Sequence, residues 1–446
     1  MRPRMRPVTG VPGVDFTVED VRGAFPDELE IEPLERPVDA TVRVPGSKSV
    51  TNRALLIAAL ANGTSTIKNT LFSDDSYWLM HALVRLGFAV RASSSAGETS
   101  ITGESGIIPE REIEVFVGNA GTVARFLPPA LALGEGPYVV DGTPRMRERP
   151  VGDLVDAMRQ LGAGVGYVEE DRRFPLRVEG GGFRGGKARV RAKSSSQFVS
   201  GLLMAAPYAR EPVMLEVEGR DEWPYVGITE EVMRAFGVGV GRGQARYIVE
   251  PGVYQAREYE VEPDASAASY FMAAAAVTGG TVRIPGLGVG SPQGDLRFAK
   301  VLGEMGCEVE TGEDRVEVRG PDRLQGVEVD MSAFSDTMMT LGAIAPFAST
   351  PTVITNVGHT RYQETDRISA VATELGRLGI SVEEGRDGLR ITPGTVRPAV
   401  VETYGDHRMA MAFAVTGLVA PGIRIRDPAV VTKTFPDYFD RLDTLR

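Results

Sequence analysis

The sequence carries one cysteine, Cys307, in 446 residues. That excludes an intramolecular disulfide framework and a cysteine-built zinc site. It has three histidines, His81, His359 and His407, too few and too scattered for a metal cluster, and no His-Glu-x-x-His spacing. A Walker phosphate loop is missing, as is a Gly-x-Gly-x-x-Gly at a strand-to-helix turn, so nucleotide and dinucleotide have no anchor. No apolar run approaches the ~18 residues of a membrane span. No signal-type apolar stretch precedes Arg36, so the chain is expected to be cytoplasmic, with no membrane partner. Basic charge is also short. A formal net charge of -11 argues against a nucleic-acid partner, because backbone binding needs a basic face.

What is present reads as globular protein: 42% apolar and 24% charged residues. The length exceeds one ordinary core and predicts two large domains or several small ones. A unit recurs every ~70–75 residues, and its clearest beat is a helix ending in apolar-Gly-apolar. The beat falls at Gly87, Gly162, Gly237, Gly306 and Gly379, each followed by a valine within a few residues. Glycine just past a helix end adopts the left-handed cap conformation, and β-branched residues after it begin a strand. Cys307 falls at such a strand start and is expected to pack in the core.

Each unit also holds an earlier helix that is apolar nearly all round and is therefore expected to be buried: 51–61, 123–133, 197–206, 265–277, 337–347 and 407–415. The second helix is amphipathic and expected outside. The sequence thus predicts an α/β protein of two similar domains. Residues 1–36 are expected to be a flexible extension, 37–46 with 265–446 one domain, and 47–264 the other.

Chemistry collects just before the inner helices. The first three starts, Gly46-Ser47-Lys48-Ser49, Asn119-Ala120-Gly121-Thr122 and Lys193-Ser194-Ser195-Ser196-Gln197, offer hydroxyls, amides, backbone N–H groups and ammonium. Those are the groups with which a helix N-terminus binds an anion. The last three, at Asp264, Asp336 and Asp406-His407-Arg408, offer carboxylates and a cation. Any one such residue is an ordinary N-cap, and Asp264 is read that way. Lys48 and Arg53 need more than capping, because the helix dipole already disfavours positive charge there. Further cations fall at Arg145, Arg147 and Arg149, at Arg361 and Arg367 flanking Glu364 and Asp366, and at Lys433. Arg147 and Arg149 fit a solvated face equally well, and a structural hydrogen bond is the expected role of His407. A cationic pocket for a small anion within an acidic protein is the expected site.

Together the strings PGSKSVTNRALL, GNAGTVARFL, GTPRMRERPVGDLVDA, SSSQF, PDASAASYF, FSDTMMT, ETDRI, YGDHRMAMAF and TKTFPDYF resemble, in order, the EPSP synthase family of enolpyruvyl transferases. The resemblance implies two inverse α/β domains of three βαβαββ units each, closing on substrate. It implies transfer of the enolpyruvyl group of phosphoenolpyruvate to the 5-hydroxyl of shikimate 3-phosphate, with no metal, no organic cofactor and a monomeric enzyme. Carried over by position, phosphoenolpyruvate meets Lys48, Gly121, Arg145, Gln197, Arg367, Arg408 and Lys433. The acceptor meets Lys48, Ser49, Arg53, Ser195, Ser196, Gln197 and Asp336, with His359 and Gln363 nearby. Asp336 and Glu364 form the proton-transfer pair, with Lys48 beside them.

Four positions depart from the family pattern: Gln363 stands for lysine, His359 for asparagine, Phe126 for proline, and Glu222 for a phosphate-binding serine. Glu222 would repel a phosphate unless the loop shifts, Arg361 compensates, or Ser195 and Ser196 hold it. Alternatives are enolpyruvyl transfer to another hydroxyl, an RNA 3′-phosphate cyclase-like activity, and a non-catalytic anion scaffold.

Overall fold

The computed structural model describes residues 10–17, 19, 25–191, 195–218, 224–243 and 245–446. All five glycines of the repeat have positive φ, between 81° and 102°. After each, the next residue's N–H reaches back five residues: Phe88 to Leu83, Ala163 to Met158, Val238 to Met233, Cys307 to Leu302 and Ile380 to Leu375. This is the Schellman geometry, which closes the helix and launches a strand. Cys307 is buried, and burial pushes its thiol pKa up to about 12.

Six sheets follow, five of four strands and one of three. In each, one pair is parallel and the rest antiparallel. A complete unit runs Glu114–Phe116, helix Gly121–Leu131, Tyr138–Asp141, helix Gly152–Gln160, Gly164–Tyr167 and Leu176–Gly180. The six inner helices are Lys48–Leu60, Gly121–Leu131, Gln197–Ala205, Ala265–Thr278, Met338–Ile344 and His407–Gly417. The fifth is shorter than its apolar run. It is entered through a 3-10 turn, Ser335–Thr337, and left through another, Ala345–Phe347, where Pro346 has no N–H to continue the ladder.

Residues 1–9, 18 and 20–24 of the N-terminal segment lie outside the described residues, and the described part is anchored at several points. Phe16 is buried against Phe72 and Tyr77, and Asp15 accepts from Ser94 N–H at 2.7 Å. Glu28–Ile31 pairs antiparallel with Ile423–Arg426. In this three-stranded sheet Glu28–Ile31 takes the place that an antiparallel strand from later in the same unit takes in the other sheets.

Buried apolar residues form two clusters. One runs from Val11 to Val261; the other combines Ile31–Val44 with Ala265–Leu445. The chain passes between them at 44–47 and again at 261–264, and the two passages lie side by side. Ser47 N–H donates to Glu262 O at 2.8 Å and Asp264 N–H to Pro45 O at 2.9 Å. Gly46 is required in this crossing, since a Cβ there would lie 2.0 Å from Asn69 O.

Burial raises the Glu262 carboxyl in the crossing from 4.5 to about 7, and its Oε1 is buried without a hydrogen-bond partner. The folded chain therefore binds this proton more tightly than the unfolded chain does, and the group's contribution to stability is lost as pH rises from about 4.5 through 7. Glu262→Gln is expected to raise the unfolding free energy by ~1–3 kcal/mol above pH 7 and by little near pH 5, at about 1.4 kcal/mol per pKa unit. Melting curves at the two pH values check this. An equal gain at both would rule out the buried charge as its cause.

Candidate active site

The starts of the first three inner helices converge on one cavity. Lys48, Ser49 and Arg53 line it from the first, Gly121, Thr122 and Arg125 from the second, and Ser195, Ser196 and Gln197 from the third. The opposing wall carries Ser335, Asp336, His359, Gln363, Glu364 and Arg367. The two walls differ in how their helix ends are satisfied. Ser47, Ala120 and Ser196 make no side-chain cap. Asp264 and Asp406 cap the fourth and sixth inner helices through Ala267 and Arg408 N–H, while the fifth, entered through the Ser335–Thr337 turn, has no side-chain cap. Asp264 also accepts from Lys48 N–H at 3.0 Å, tying the two halves together. At the second site, where Gly121 and Thr122 line the cavity without a side-chain cap, the positive end of the dipole faces it, the arrangement that favours an anion.

Three guanidiniums lie buried in the first wall. Arg53, 1% exposed, donates only to neutral groups among the described residues: Thr229, Ser200, and the carbonyls of Ser49 and Tyr225. Its face lies over Phe126, 4.9 Å from the ring centroid. Burial pushes its pKa down to about 9, which still leaves it charged at neutral pH. Burial likewise lowers Arg125 and Arg149. Nε and Nη1 of Arg149 are buried without a partner. Gly121 makes room for that guanidinium, since a Cβ there would come 2.9 Å from Arg149 Nη2.

In the second wall the carboxylates are tied to cations. Asp336 lies 2.6 Å from Arg408 and 3.0 Å from Arg367. Glu364 lies 3.0 Å from Arg367, which also holds Asp406 at 2.7 Å. Burial opposes ionisation of Glu364, yet Arg367, Arg149 and Lys433 hold its pKa well below the usual carboxylate range. Asp336 is likewise lowered, because Arg408, Arg367 and Lys48 outweigh its burial. Both are ionised at neutral pH. Lys433 bridges the walls, donating to Asp75 at 2.6 Å and to Asn119 O at 2.9 Å.

Several expectations come out differently. Arg145 does not line the cavity: it donates to the carbonyls of Gln363 and Glu364 at 2.9 and 3.1 Å and pairs with Glu148. Arg149 lines it instead. A run of alternating arginines does not reveal in the sequence which one turns inward. Arg147 is the solvated member, paired with Asp141 and Glu169. Arg408 stands one contact behind the cavity, against Asp336, and Lys433 lines a neighbouring pocket with Asp75. His407 makes no hydrogen bond among the described residues: both ring nitrogens are buried and unpartnered, with Nδ1 3.4 Å from Asp406. Burial, with Arg408 and Lys48 nearby, keeps it neutral. His81 is buried on the helix Asp74–Arg85 and stacked on Tyr77. Arg361 is engaged by Asp366 and Glu384 and is not spare for a phosphate. Lys193, Ser194 and Glu222 lie outside the described residues. Among the described residues no acidic, histidine or cysteine group could hold a metal, and no helix is long and apolar enough to cross a membrane.

The comparisons with known proteins agree with this geometry. The family model described as EPSP synthase (3-phosphoshikimate 1-carboxyvinyltransferase) matches residues 34–442. The 3-phosphoshikimate 1-carboxyvinyltransferase of Trichormus variabilis is 51% identical over 418 residues, 93% of this chain and 98% of that one. That of a Sulfurovum species is 45% identical over 426 residues, 94% and 99% of the two chains. The EPSP synthase structure from Acinetobacter baumannii superposes with a TM-score of 0.80 at 25% identity, covering 94% of this chain and 98% of that one. The enolpyruvyl transferase NikO from Streptomyces tendae shares the fold, with a TM-score of 0.71 at 18% identity over the same shares. The repeated units, the cationic cavity between them and these matches agree: the chain belongs to the EPSP synthase family.

Proposed function

We propose that this protein transfers the enolpyruvyl group of phosphoenolpyruvate to the 5-hydroxyl of shikimate 3-phosphate, releasing phosphate. The observation that carries the reading is the single cavity in which buried cations face two ionised carboxylates, in a chain of this family. Lys48, Gly121, Gln197 and Arg367 hold phosphoenolpyruvate, with Arg149 in the place expected of Arg145, while Arg408 and Lys433 add positive charge from behind Asp336 and from the adjoining pocket. Ser49, Arg53, Ser195, Ser196, Gln197, Asp336, His359 and Gln363 surround the acceptor.

The chemistry needs one base and one acid. Asp336 takes the proton of the acceptor hydroxyl as its oxygen bonds to C2 of phosphoenolpyruvate. The methylene carbon gains a proton and becomes a methyl group, giving a phosphorylated tetrahedral intermediate. Glu364 supplies that proton. Its low pKa depends on Arg367, Arg149 and Lys433, and a bound phosphate and carboxylate draw on the same cations, which raises it. In the second step the methyl group returns a proton, the C2–O bond to phosphate breaks, and phosphate leaves. Lys48 and the guanidiniums stabilise the charge that builds in between, usually the largest single catalytic contribution. A cytoplasmic location fits a chain whose sole cysteine is a buried thiol, and the monomeric state rests on the family resemblance alone.

Purified protein is expected to release phosphate from phosphoenolpyruvate only when shikimate 3-phosphate is present. Equal release with unphosphorylated shikimate would overturn the acceptor assignment, and Glu222 makes that control informative.

A further inference from the structure

Outside the carboxylate pair just described, one buried acid faces the cavity wall from the far half. Asp295 sits in the short turn Gly294–Leu296, 3% exposed. Both its oxygens accept from Tyr225 Oη, at 3.1 and 3.0 Å, and among the described residues that is the only partner of its side chain. Tyr225 begins the helix Pro224–Ala235 of the other half and lines the cavity. The contact is built on both sides. Gln293 pins the turn by donating to Pro263 O at 2.7 Å and accepting from Ala265 N–H at 3.0 Å. Gly294 lets the halves meet, since a Cβ there would come 2.6 Å from Pro224 Cβ. On the other side, Tyr225 O accepts from Arg53 Nη2 at 2.9 Å, and Thr229, one turn along the same helix, accepts from Arg53 Nε at 2.7 Å.

We propose that Asp295 is a positioning residue: through Tyr225 it latches the two halves together and fixes Arg53 in the acceptor end of the cavity. Asp295 touches neither substrate. A buried carboxylate with one neutral donor is an unusual choice for stability alone, since burial and the nearby Asp336 raise it to about 7. Its value lies in specifying where the Tyr225 helix stops.

The proposal rests on the enolpyruvyl-transfer reading for its kinetic test, which compares wild type, Tyr225→Phe, Asp295→Ala and the double variant. Each single change is expected to raise the KM for shikimate 3-phosphate about tenfold, as one lost hydrogen bond does, with the KM for phosphoenolpyruvate little moved. The double variant is expected to be no worse than the poorer single, and Asp295→Asn, which keeps an acceptor oxygen, to recover part of the loss. Additive effects, or a Tyr225→Phe enzyme indistinguishable from wild type, would overturn the latch. If Asp295→Ala does not fold, Tyr225→Phe with Asp295→Asn forms the cycle. If the wild type itself transfers nothing, the functional reading has failed instead. Small-angle scattering then decides the latch, a Tyr225→Phe protein more open than wild type supporting it and equal dimensions overturning it.

Discussion

Replacing Asp336 with asparagine is expected to lower kcat by ~100-fold or more, the lower end for losing a general acid or base, while the fold survives. The carboxylate has two jobs that the substitution separates. As the base, it must accept a proton, which an amide does not do. As a counter-ion, it lies 2.6 Å from Arg408 and 3.0 Å from Arg367. Arg367 keeps Asp406 and Glu364 when Asp336 is neutralised. Among the described residues the Arg408 side chain then keeps as a hydrogen-bond partner only the Tyr270 hydroxyl, at 3.4 Å. The cavity thereby gains positive charge and should hold phosphoenolpyruvate at least as tightly. The signature is a collapsed kcat with an unchanged or lowered KM for phosphoenolpyruvate. Steady-state kinetics with a melting curve on the same sample check it. Near-normal kcat would remove Asp336 from the chemistry, and a KM rise large enough to explain the loss would make it a binding group only.

The repeat and the cavity were legible in the sequence for the same reason. Gly87, Gly162, Gly237, Gly306 and Gly379 each need a left-handed backbone, a local requirement that one residue type meets. The helix starts are local too, so Lys48, Gly121, Gln197 and Asp336 could be placed at one end of the units from the sequence, while Glu364 entered through the family resemblance. What was not legible depends on distant partners. Glu28–Ile31 looks like loose chain because its strand partner is almost 400 residues away. Pairing at that separation leaves no periodic trace. Arg145 and Arg149 differ by one helical turn and the chemistry of what each meets. Asp295 is silent in the sequence because its meaning lies wholly in Tyr225.

The second large effect is expected at Arg149, and it discriminates between the two arginines. Among the described residues Nε and Nη1 of Arg149 have no hydrogen-bond acceptor, and the guanidinium lies against Gly121 on the cavity wall. Holding a buried cation with unsatisfied N–H groups is costly even with Glu364 and Asp75 nearby, and an anionic ligand offsets the cost. Two charge-assisted hydrogen bonds to that ligand, at ~1.5–3 kcal/mol each, put Arg149→Ala at ~10²–10⁴-fold lower kcat/KM for phosphoenolpyruvate. Arg149→Lys should recover little, because one ammonium cannot reproduce two fixed N–H directions. Arg145 instead donates across the halves to the carbonyls of Gln363 and Glu364, with its charge half-exposed beside Glu148. Arg145→Ala weakens closure through contacts that solvent can partly replace and should cost no more than ~10-fold. Truncation also removes a positive charge near Glu364, the proton donor, so its pKa rises and the Arg149 variant should show the alkaline limb of kcat moved to higher pH. Parallel pH profiles of the two variants test the whole assignment. If Arg145→Ala proves the more damaging, or if the alkaline limb stays in place in Arg149→Ala, the cavity wall drawn through Gly121 and Arg149 is not where phosphoenolpyruvate binds.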